Sequence, residues 1–254
     1  MLEALGEANF AALVGLFGGV LLGLAARLGR FCTLGAIEDY LYGGNDLRLR
    51  MWGLAIGFAV VGSFSLMAFG LFDPANSFYL SQRWMPLASI VGGGLFGYGM
   101  AMSGNCGYGA LARLGGGDLR SFLIVLVMGI SAYATISGPL AWARVALFPS
   151  EPAGTVPQGV AHAIGSSTGM SVSIIGIVIG LLIVGLALAG RSLRKSKSSM
   201  LWAIAAGVSV ISAWAGMQYI HDVGFDELPV VSHTFSAPLG EVIIYGMTAS
   251  GQTL

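Results

Sequence analysis

Two thiols carry the most distinctive chemistry in this sequence, because a thiol can ionise, bind a metal, form a disulfide or donate a weak hydrogen bond. They belong to Cys32 and Cys106, the only cysteines in the chain. Neither has a second cysteine or a histidine nearby in sequence, so no zinc or iron–sulfur site is expected. A disulfide between them is an alternative. Glycines, which let backbone N–H groups approach a ligand closely, flank both thiols: Gly29, Gly35, Gly104, Gly107 and Gly109.

The sequence around the first cysteine recurs around the second. Residues 23–50 read GLAARLGRFCTLGAIEDYLYGGNDLRLR, and residues 97–120 read GYGMAMSGNCGYGALARLGGGDLR. Aligned on cysteine, both contain C-x-x-G-A-[IL], then a Gly pair and Asp-Leu-Arg. We predict a parallel internal repeat with units at approximately 10–72 and 87–148. Repeats in membrane proteins commonly build transport folds, with the substrate site at the repeat interface.

The composition indicates the environment in which these thiols must work. The chain of 254 residues is 56% hydrophobic and 9% charged, with a mean hydropathy of +0.81. A soluble domain carries roughly 25% charged residues, so lipid must cover most of this surface. With 12 basic and 12 acidic residues the formal net charge is zero, which argues against nucleic acid as a partner. We predict an all-α, polytopic membrane protein with residues 1–254 in one transmembrane domain.

Apolar stretches of about 20 residues, enough to cross a bilayer, position the two thiols. They cover residues 10–28, 51–72, 87–104, 119–147, 170–190 and about 200–219, with 170–220 forming a further helix pair beyond the repeats. Gly138-Pro139 predicts a kink in the fourth stretch. Residues 33–42 and 107–114, which follow the cysteines, are too short to span. We predict broken or re-entrant helices there, lining an interior path.

Basic residues predict the orientation of the spans, because cytoplasmic loops of membrane proteins are enriched in Lys and Arg. Segments 46–50, 113–120 and 191–197 carry clustered basic residues and are predicted to be cytoplasmic. Loops 149–169 and 221–241 contain no Lys or Arg and are predicted to lie outside. Counting spans from any of these segments places the N-terminus outside, and the N-terminal stretch is interpreted as a retained helix.

The residues beside the thiols have functional and structural interpretations. If each short helix starts just after its cysteine, its N-terminal N–H groups and dipole favour an anion there. Arg30, Thr33 and Asn105 are then assigned, with the flanking glycines, to positioning a substrate. Alternatively, the cysteines are small buried hydrophobes and the glycines serve close helix packing. The Asp-Leu-Arg elements, Asp46 with Arg48 and Asp118 with Arg120, are predicted to cap helices at the interface. The histidines (His162, His221 and His233) are predicted to lie in surface loops without a role.

The segments GRFCTLGAIED at 29–39 and GGGLFGYGMAMSGNCGYG at 92–109 resemble the YeeE/YedE family of bacterial inner-membrane proteins, whose best-understood members take up thiosulfate. The resemblance covers roughly residues 10–140. It implies a transporter, not an enzyme, in which thiols along a narrow path pass thiosulfate inward through S–H hydrogen bonds. Cys32 and Cys106 match the family's first two pathway cysteines. No cofactor or metal is implied, and a cytoplasmic sulfur acceptor protein is an expected partner.

One departure from the family pattern concerns a third element. Larger family members carry a Gly-Gly-Cys element in a C-terminal segment, and this sequence has no third cysteine. We expect that the chain lacks a C-terminal segment of the family or that another chain completes the pathway. Two alternative functions stay open at this point: a membrane thiol enzyme that relays sulfur, and a structural subunit of a larger membrane complex.

Overall fold

A computed structural model of the protein describes residues 6–80, 82–149, 158–225 and 228–248, and most of these residues are helical. The α-helices are α1 (Glu7–Arg27), α2 (Thr33–Gly43), α3 (Leu47–Ala68), α4 (Pro86–Ser103), α5 (Gly107–Gly115), α6 (Leu119–Ile136), α7 (Ala141–Leu147), α8 (Val160–Thr168), α9 (Val172–Ala189), α10 (Arg191–Lys195), α11 (Lys197–Val223) and α12 (Ser236–Met247). Two 3₁₀ turns, Pro74–Asn76 and Phe78–Leu80, follow α3. An isolated parallel bridge joins Ser77 and Val230.

Five of the described helices are long and apolar enough to cross a membrane: α1, α3, α6, α9 and α11. The prediction of an all-α, polytopic membrane protein is therefore confirmed. The predicted span at 87–104 forms α4, whose 18 residues reach about 27 Å at 1.5 Å per residue.

The predicted long span at 119–147 is wrong in one respect. The chain breaks completely here instead of kinking: α6 ends at Ile136 and α7 begins at Ala141. A Cβ on Gly138 would lie 2.6 Å from Cα of Ala134, so the chain folds tightly back on the last turn of α6. Proline cannot donate a backbone hydrogen bond and disfavours helix in the residue before it, which explains why Pro139 ends the helix.

The part of the chain that the structure describes divides into two compact units. Unit 1 comprises Met1–Trp84 with Glu151–His233, and unit 2 comprises Met85–Ser150 with Thr234–Leu254. In unit 1, α3 packs against α9 and α11, and α11 packs against α1. In unit 2, α6 packs against α12 and α5. The predicted repeat units at 10–72 and 87–148 stay a proposal.

Glycine pairs set the closest helix contacts in each unit. In unit 1, a Cβ on Gly57 would lie 3.0 Å from the carbonyl oxygen of Gly180, and a Cβ on Gly180 would lie 3.0 Å from that of Gly57. In unit 2, a Cβ on Gly240 would lie 3.0 Å from the carbonyl oxygen of Gly129. Small residues at such crossings let helix backbones approach in a bilayer, where packing replaces the hydrophobic effect as the driving force. Many glycines therefore serve helix packing.

Filling the α3–α9 crossing should destabilise unit 1. Gly180→Val places a side chain against Val61 and the Gly57 backbone, and overpacking typically costs about 1–3 kcal/mol. The matched control is Gly185→Val on the same helix, where a Cβ meets nothing within 4 Å. We expect a lower melting temperature in detergent for the first variant and little change for the second. Equal melting temperatures would contradict this packing.

Candidate functional site

Both cysteines occupy the same backbone position, the residue that caps the start of a short helix. Cys32 precedes α2 and Cys106 precedes α5, both in extended conformations. Two residues before each cysteine the chain adopts a left-handed conformation, at Arg30 with φ 51° and at Gly104 with φ 63°. This turn ends the preceding long helix and redirects the chain into the short one. The sequence-predicted breaks therefore exist, and each is centred on a cysteine.

In unit 1, the segment before Cys32 is fixed by two tryptophans. Gly29 lies so close to Trp202 of α11 that a Cβ would approach its side-chain Cβ at 2.6 Å. Phe31 is buried, and its ring stacks on Trp52 of α3 with centroids 4.4 Å apart and planes 29° apart. Cys32 itself is partly exposed. Arg30 is exposed, and Thr33 is the first residue of α2.

One turn after Cys32, Gly35 makes room for a cation. A Cβ on Gly35 would overlap Nη1 of Arg48, and it would lie 3.9 Å from Cβ of Cys32. Nε of the same guanidinium lies 3.1 Å from Oδ2 of Asp39, so the ion pair holds Arg48 along α2. The sequence placed Arg48 at the membrane interface as part of a helix cap. The structure instead brings it back onto the segment that carries the thiol.

In unit 2, an amide occupies the space beside the matching glycine. Cys106 is 3% exposed, and its Sγ accepts a hydrogen bond of 3.3 Å from the backbone N–H of Gly109. A Cβ on Gly109 would overlap Oδ1 of Asn105, which is 4% exposed. Gly107 faces Met128 of α6, with Sδ 2.5 Å from the position of a Cβ. The predicted residues Gly104, Asn105, Gly107 and Gly109 therefore surround Cys106 within one unit.

The arrangement around each thiol suits a small anion. The first three N–H groups of an α-helix have no carbonyl partner within the helix, and the helix dipole places partial positive charge there. In the first helical hydrogen bonds, Ala36 N–H donates to Cys32 O at 3.0 Å and Ala110 N–H donates to Cys106 O at 2.8 Å. The backbone N–H groups of the residues between each cysteine and that alanine are therefore the donors without a carbonyl acceptor within the helix. In unit 2, Gly109 N–H is already bonded to the thiol.

Three buried side-chain nitrogens in the described residues have no hydrogen-bond partner: Trp52 Nε1, Asn105 Nδ2 and His233 Nε2. Asn105 directly precedes Cys106, and Trp52 stacks on the residue before Cys32. A buried donor without an acceptor is energetically costly and rare in folded proteins. Sequence reasoning included Asn105 and missed Trp52, whose only signal was its place in a span four residues after Arg48.

Metal and disulfide chemistry find no support in the described part of the chain. No group of three His, Cys, Asp or Glu side chains there could hold a metal ion. Neither Cys32 nor Cys106 forms a disulfide. Cys32 belongs to unit 1 and Cys106 to unit 2, so each thiol site is described within its own unit.

The two Asp-Leu-Arg elements differ in the structure. Asp118 caps α6 as predicted, accepting a hydrogen bond of 3.0 Å from the N–H of Arg120. Asp46 makes no such cap. Its carboxylate accepts hydrogen bonds from Ser192 at 2.7 Å and from Arg50 at 2.5 Å, and these bonds hold the pKa of Asp46 below its usual value. The network ties the start of α3 to the start of α10.

The prediction of surface histidines is wrong for His233. The loop before α12 inserts this side chain against the middle of α1, where a Cβ on Gly18 would overlap the imidazole. The ring bonds the backbone of Ser209, while Nε2 is buried, and this burial lowers the pKa of His233. His162 lies in α8, where it lines an apolar cavity of about 220 Å³ with Trp214, Phe72 and other side chains, and desolvation lowers its pKa. Spacing alone carries no signal for either burial.

A sequence profile described as Sulphur transport matches residues 28–254 of this chain. This match covers both thiol sites and every element after α1. The chain belongs to the Sulphur transport family. The family resemblance predicted from the paired cysteine motifs is therefore confirmed.

Two relatives of this chain are thiosulfate transporters named TsuA. The protein from Spirochaeta thermophila is 31% identical over 131 residues, which cover 50% of this chain and 37% of the relative. The protein from Escherichia coli is 32% identical over 111 residues, covering 44% of this chain and 30% of the relative. The matched region thus spans about a third of the length of these relatives.

Stability should depend on the charge of His233. Because burial lowers the folded-state pKa, the unfolded chain binds more protons near its ordinary pKa of about 6.5. The protein should therefore lose stability as the pH falls from about 6.5 towards the lowered pKa. Above about pH 6.5, the contribution of His233 to stability should be constant.

The measurement is the melting temperature in detergent between pH 8 and pH 5. His233→Asn keeps a donor in the side chain and removes the titration, so its melting temperature should vary less with pH than that of the wild type. His221→Asn, on the last turn of α11, is the control. Parallel losses for the wild type and His233→Asn would contradict a buried, neutral His233.

Proposed function

We propose that this chain is part or all of an uptake transporter for a small sulfur-bearing anion, thiosulfate first, and that it is not an enzyme. Family membership and the two relatives support the class of function. The observation that carries the proposal is the repeated geometry of Cys32 and Cys106. Each cysteine occupies the residue before a short helix in a chain whose described residues include five helices able to span a membrane.

The proposed passage proceeds through weak sequential binding. The oxygens of the anion accept hydrogen bonds from the backbone N–H groups that start α2 or α5, and its terminal sulfur lies against the thiol. A thiol is a weak donor, so it holds a sulfur-bearing ligand without trapping it. Successive weak sites permit conduction, whereas one strong site would arrest the ion. No covalent step is required.

The location and sidedness belong to the same proposal. The protein is a multi-pass membrane protein, and we assign it to the bacterial inner membrane with the N-terminus outside. Segments 46–50 and 191–197 then lie in the cytoplasm, where a sulfur acceptor protein takes the anion. In this orientation Cys32, Arg48 and the Asp46 network lie towards the cytoplasmic side of unit 1.

The central test replaces each thiol separately. Cys32→Ala and Cys106→Ala should each lower uptake of ³⁵S-labelled thiosulfate at least tenfold in cells lacking their own thiosulfate transporters. The variants should still insert into the membrane, because alanine is smaller than cysteine and fits in the same space. Membrane abundance and the melting temperature report insertion and folding. Gly185→Ala, on open surface of α9, is the control. Uptake at wild-type rates by both cysteine variants would refute the proposal.

Two further measurements separate the alternatives that the sequence left open. A sulfur-relay enzyme would carry a persulfide or mixed disulfide on Cys32 or Cys106, visible by mass spectrometry of the intact protein after exposure to thiosulfate. Unmodified cysteines during active uptake favour the transporter. A structural subunit would purify with a stoichiometric second membrane chain and would transport nothing alone in proteoliposomes.

A further inference from the structure

Two residues of α3 point to an additional element of the first thiol site. Arg48 and Trp52 are four residues apart, so they lie on the same face of α3. Arg48 contacts Gly35, three residues after Cys32, and Trp52 stacks on Phe31, the residue before it. We call Arg48 and Trp52 the α3 donor pair. The pair thus borders the thiol segment on both sides.

The ion pair with Asp39 holds Arg48 in place and engages only part of its N–H donors. Asp39 engages Nε at 3.1 Å, and Nη1 reaches the surface of α2 at Gly35. A guanidinium has five N–H donors in a planar fork, which matches the oxygens of an oxyanion. The side chain of Arg48 is 26% exposed, so an ion can reach it. A residue larger than glycine at position 35 would move the guanidinium away.

Trp52 supplies a neutral donor next to the same segment. Its indole is fixed by the stack on Phe31, and Nε1 is buried without a partner in the described part of the chain. An indole N–H can only donate. A buried donor without an acceptor calls for an explanation. An acceptor atom on a bound ligand is one such explanation, and it also accounts for the position of Trp52 beside the thiol segment.

We propose that the α3 donor pair binds the oxygens of the sulfur anion at the first thiol site and turns its terminal sulfur towards Cys32. Both are positioning residues for transport, and this inference rests on the proposed function. The ligand class is a tetrahedral sulfur oxyanion with one soft sulfur end. Arg48 donates charge-assisted hydrogen bonds to its oxygens, and Trp52 and the N–H groups of α2 complete the oxygen contacts.

The second thiol site is built differently. The matching glycine, Gly109, faces the amide of Asn105 instead of a guanidinium. Arg120, which matches Arg48 in the sequence repeat, is exposed. The first site therefore offers the anion a guanidinium that is also paired with Asp39, and the second site offers neutral donors.

The test measures the concentration dependence of thiosulfate uptake in proteoliposomes. Arg48→Gln should raise the half-saturating concentration about tenfold or more, because a charge-assisted hydrogen bond is lost. Arg48→Lys should recover part of the affinity. Trp52→Phe keeps the ring stack and removes the N–H, and should raise the half-saturating concentration several-fold. The controls are Arg120→Gln and Trp142→Phe, both on exposed side chains.

A second variant keeps every donor and changes only the position of the guanidinium. Gly35→Ala should displace the flexible end of Arg48 and raise the half-saturating concentration like Arg48→Gln, while Gly43→Ala, at the open end of α2, should not. Melting temperatures close to the wild-type value separate this effect from unfolding.

The outcomes separate the two proposals. Half-saturating concentrations within twofold of the wild type for Arg48→Gln, Trp52→Phe and Gly35→Ala, in a protein whose uptake still depends on Cys32, would overturn the donor pair alone. A wild-type protein that transports no thiosulfate would overturn the proposed function itself. Weaker apparent affinity in all three variants, with maximal rates largely kept, supports the donor pair.

Discussion

Backbone N–H groups at the start of a helix need an acceptor, and lipid offers none. Every other feature of the two thiol sites depends on this constraint. At Cys32 and at Cys106 the chain interrupts its helical hydrogen bonding and starts a short helix. Backbone of this kind is tolerated in membrane proteins where protein or water surrounds it. A ligand with oxygen acceptors would satisfy the same donors, which is why we propose a binding site at each break.

Glycine serves two separate purposes in this protein. Gly57 with Gly180, and Gly129 with Gly240, let helix backbones pack closely within their units. Gly35 instead leaves space for the guanidinium of Arg48 beside the segment that carries Cys32. Of the two interpretations offered by the sequence, close packing is observed at the first four glycines, and ligand approach beside the thiols stays a proposal.

The sequence predicts the spans well because hydropathy and length are properties of single segments. It also predicts the helix breaks at Cys32 and Cys106, since the segments 33–42 and 107–114 are too short to span a bilayer. It does not reveal that Arg48 returns to α2, that Trp52 Nε1 is left without an acceptor, or that His233 packs on Gly18. Each depends on contacts between segments distant in sequence. The break at Ser137 shows a further limit, because a Gly-Pro pair indicates a disruption without specifying a kink or a complete stop.

The central claim is that both thiols face a water-accessible path that the anion also enters. The most direct measurement is the rate at which a membrane-impermeant methanethiosulfonate reagent modifies Cys32 and Cys106, each in a variant lacking the other thiol, with and without thiosulfate. We predict modification of both thiols and a lower rate at saturating thiosulfate, with no such slowing by chloride at equal ionic strength. Thiols that never react in the folded protein, or whose rates are unaffected by thiosulfate, would contradict the account.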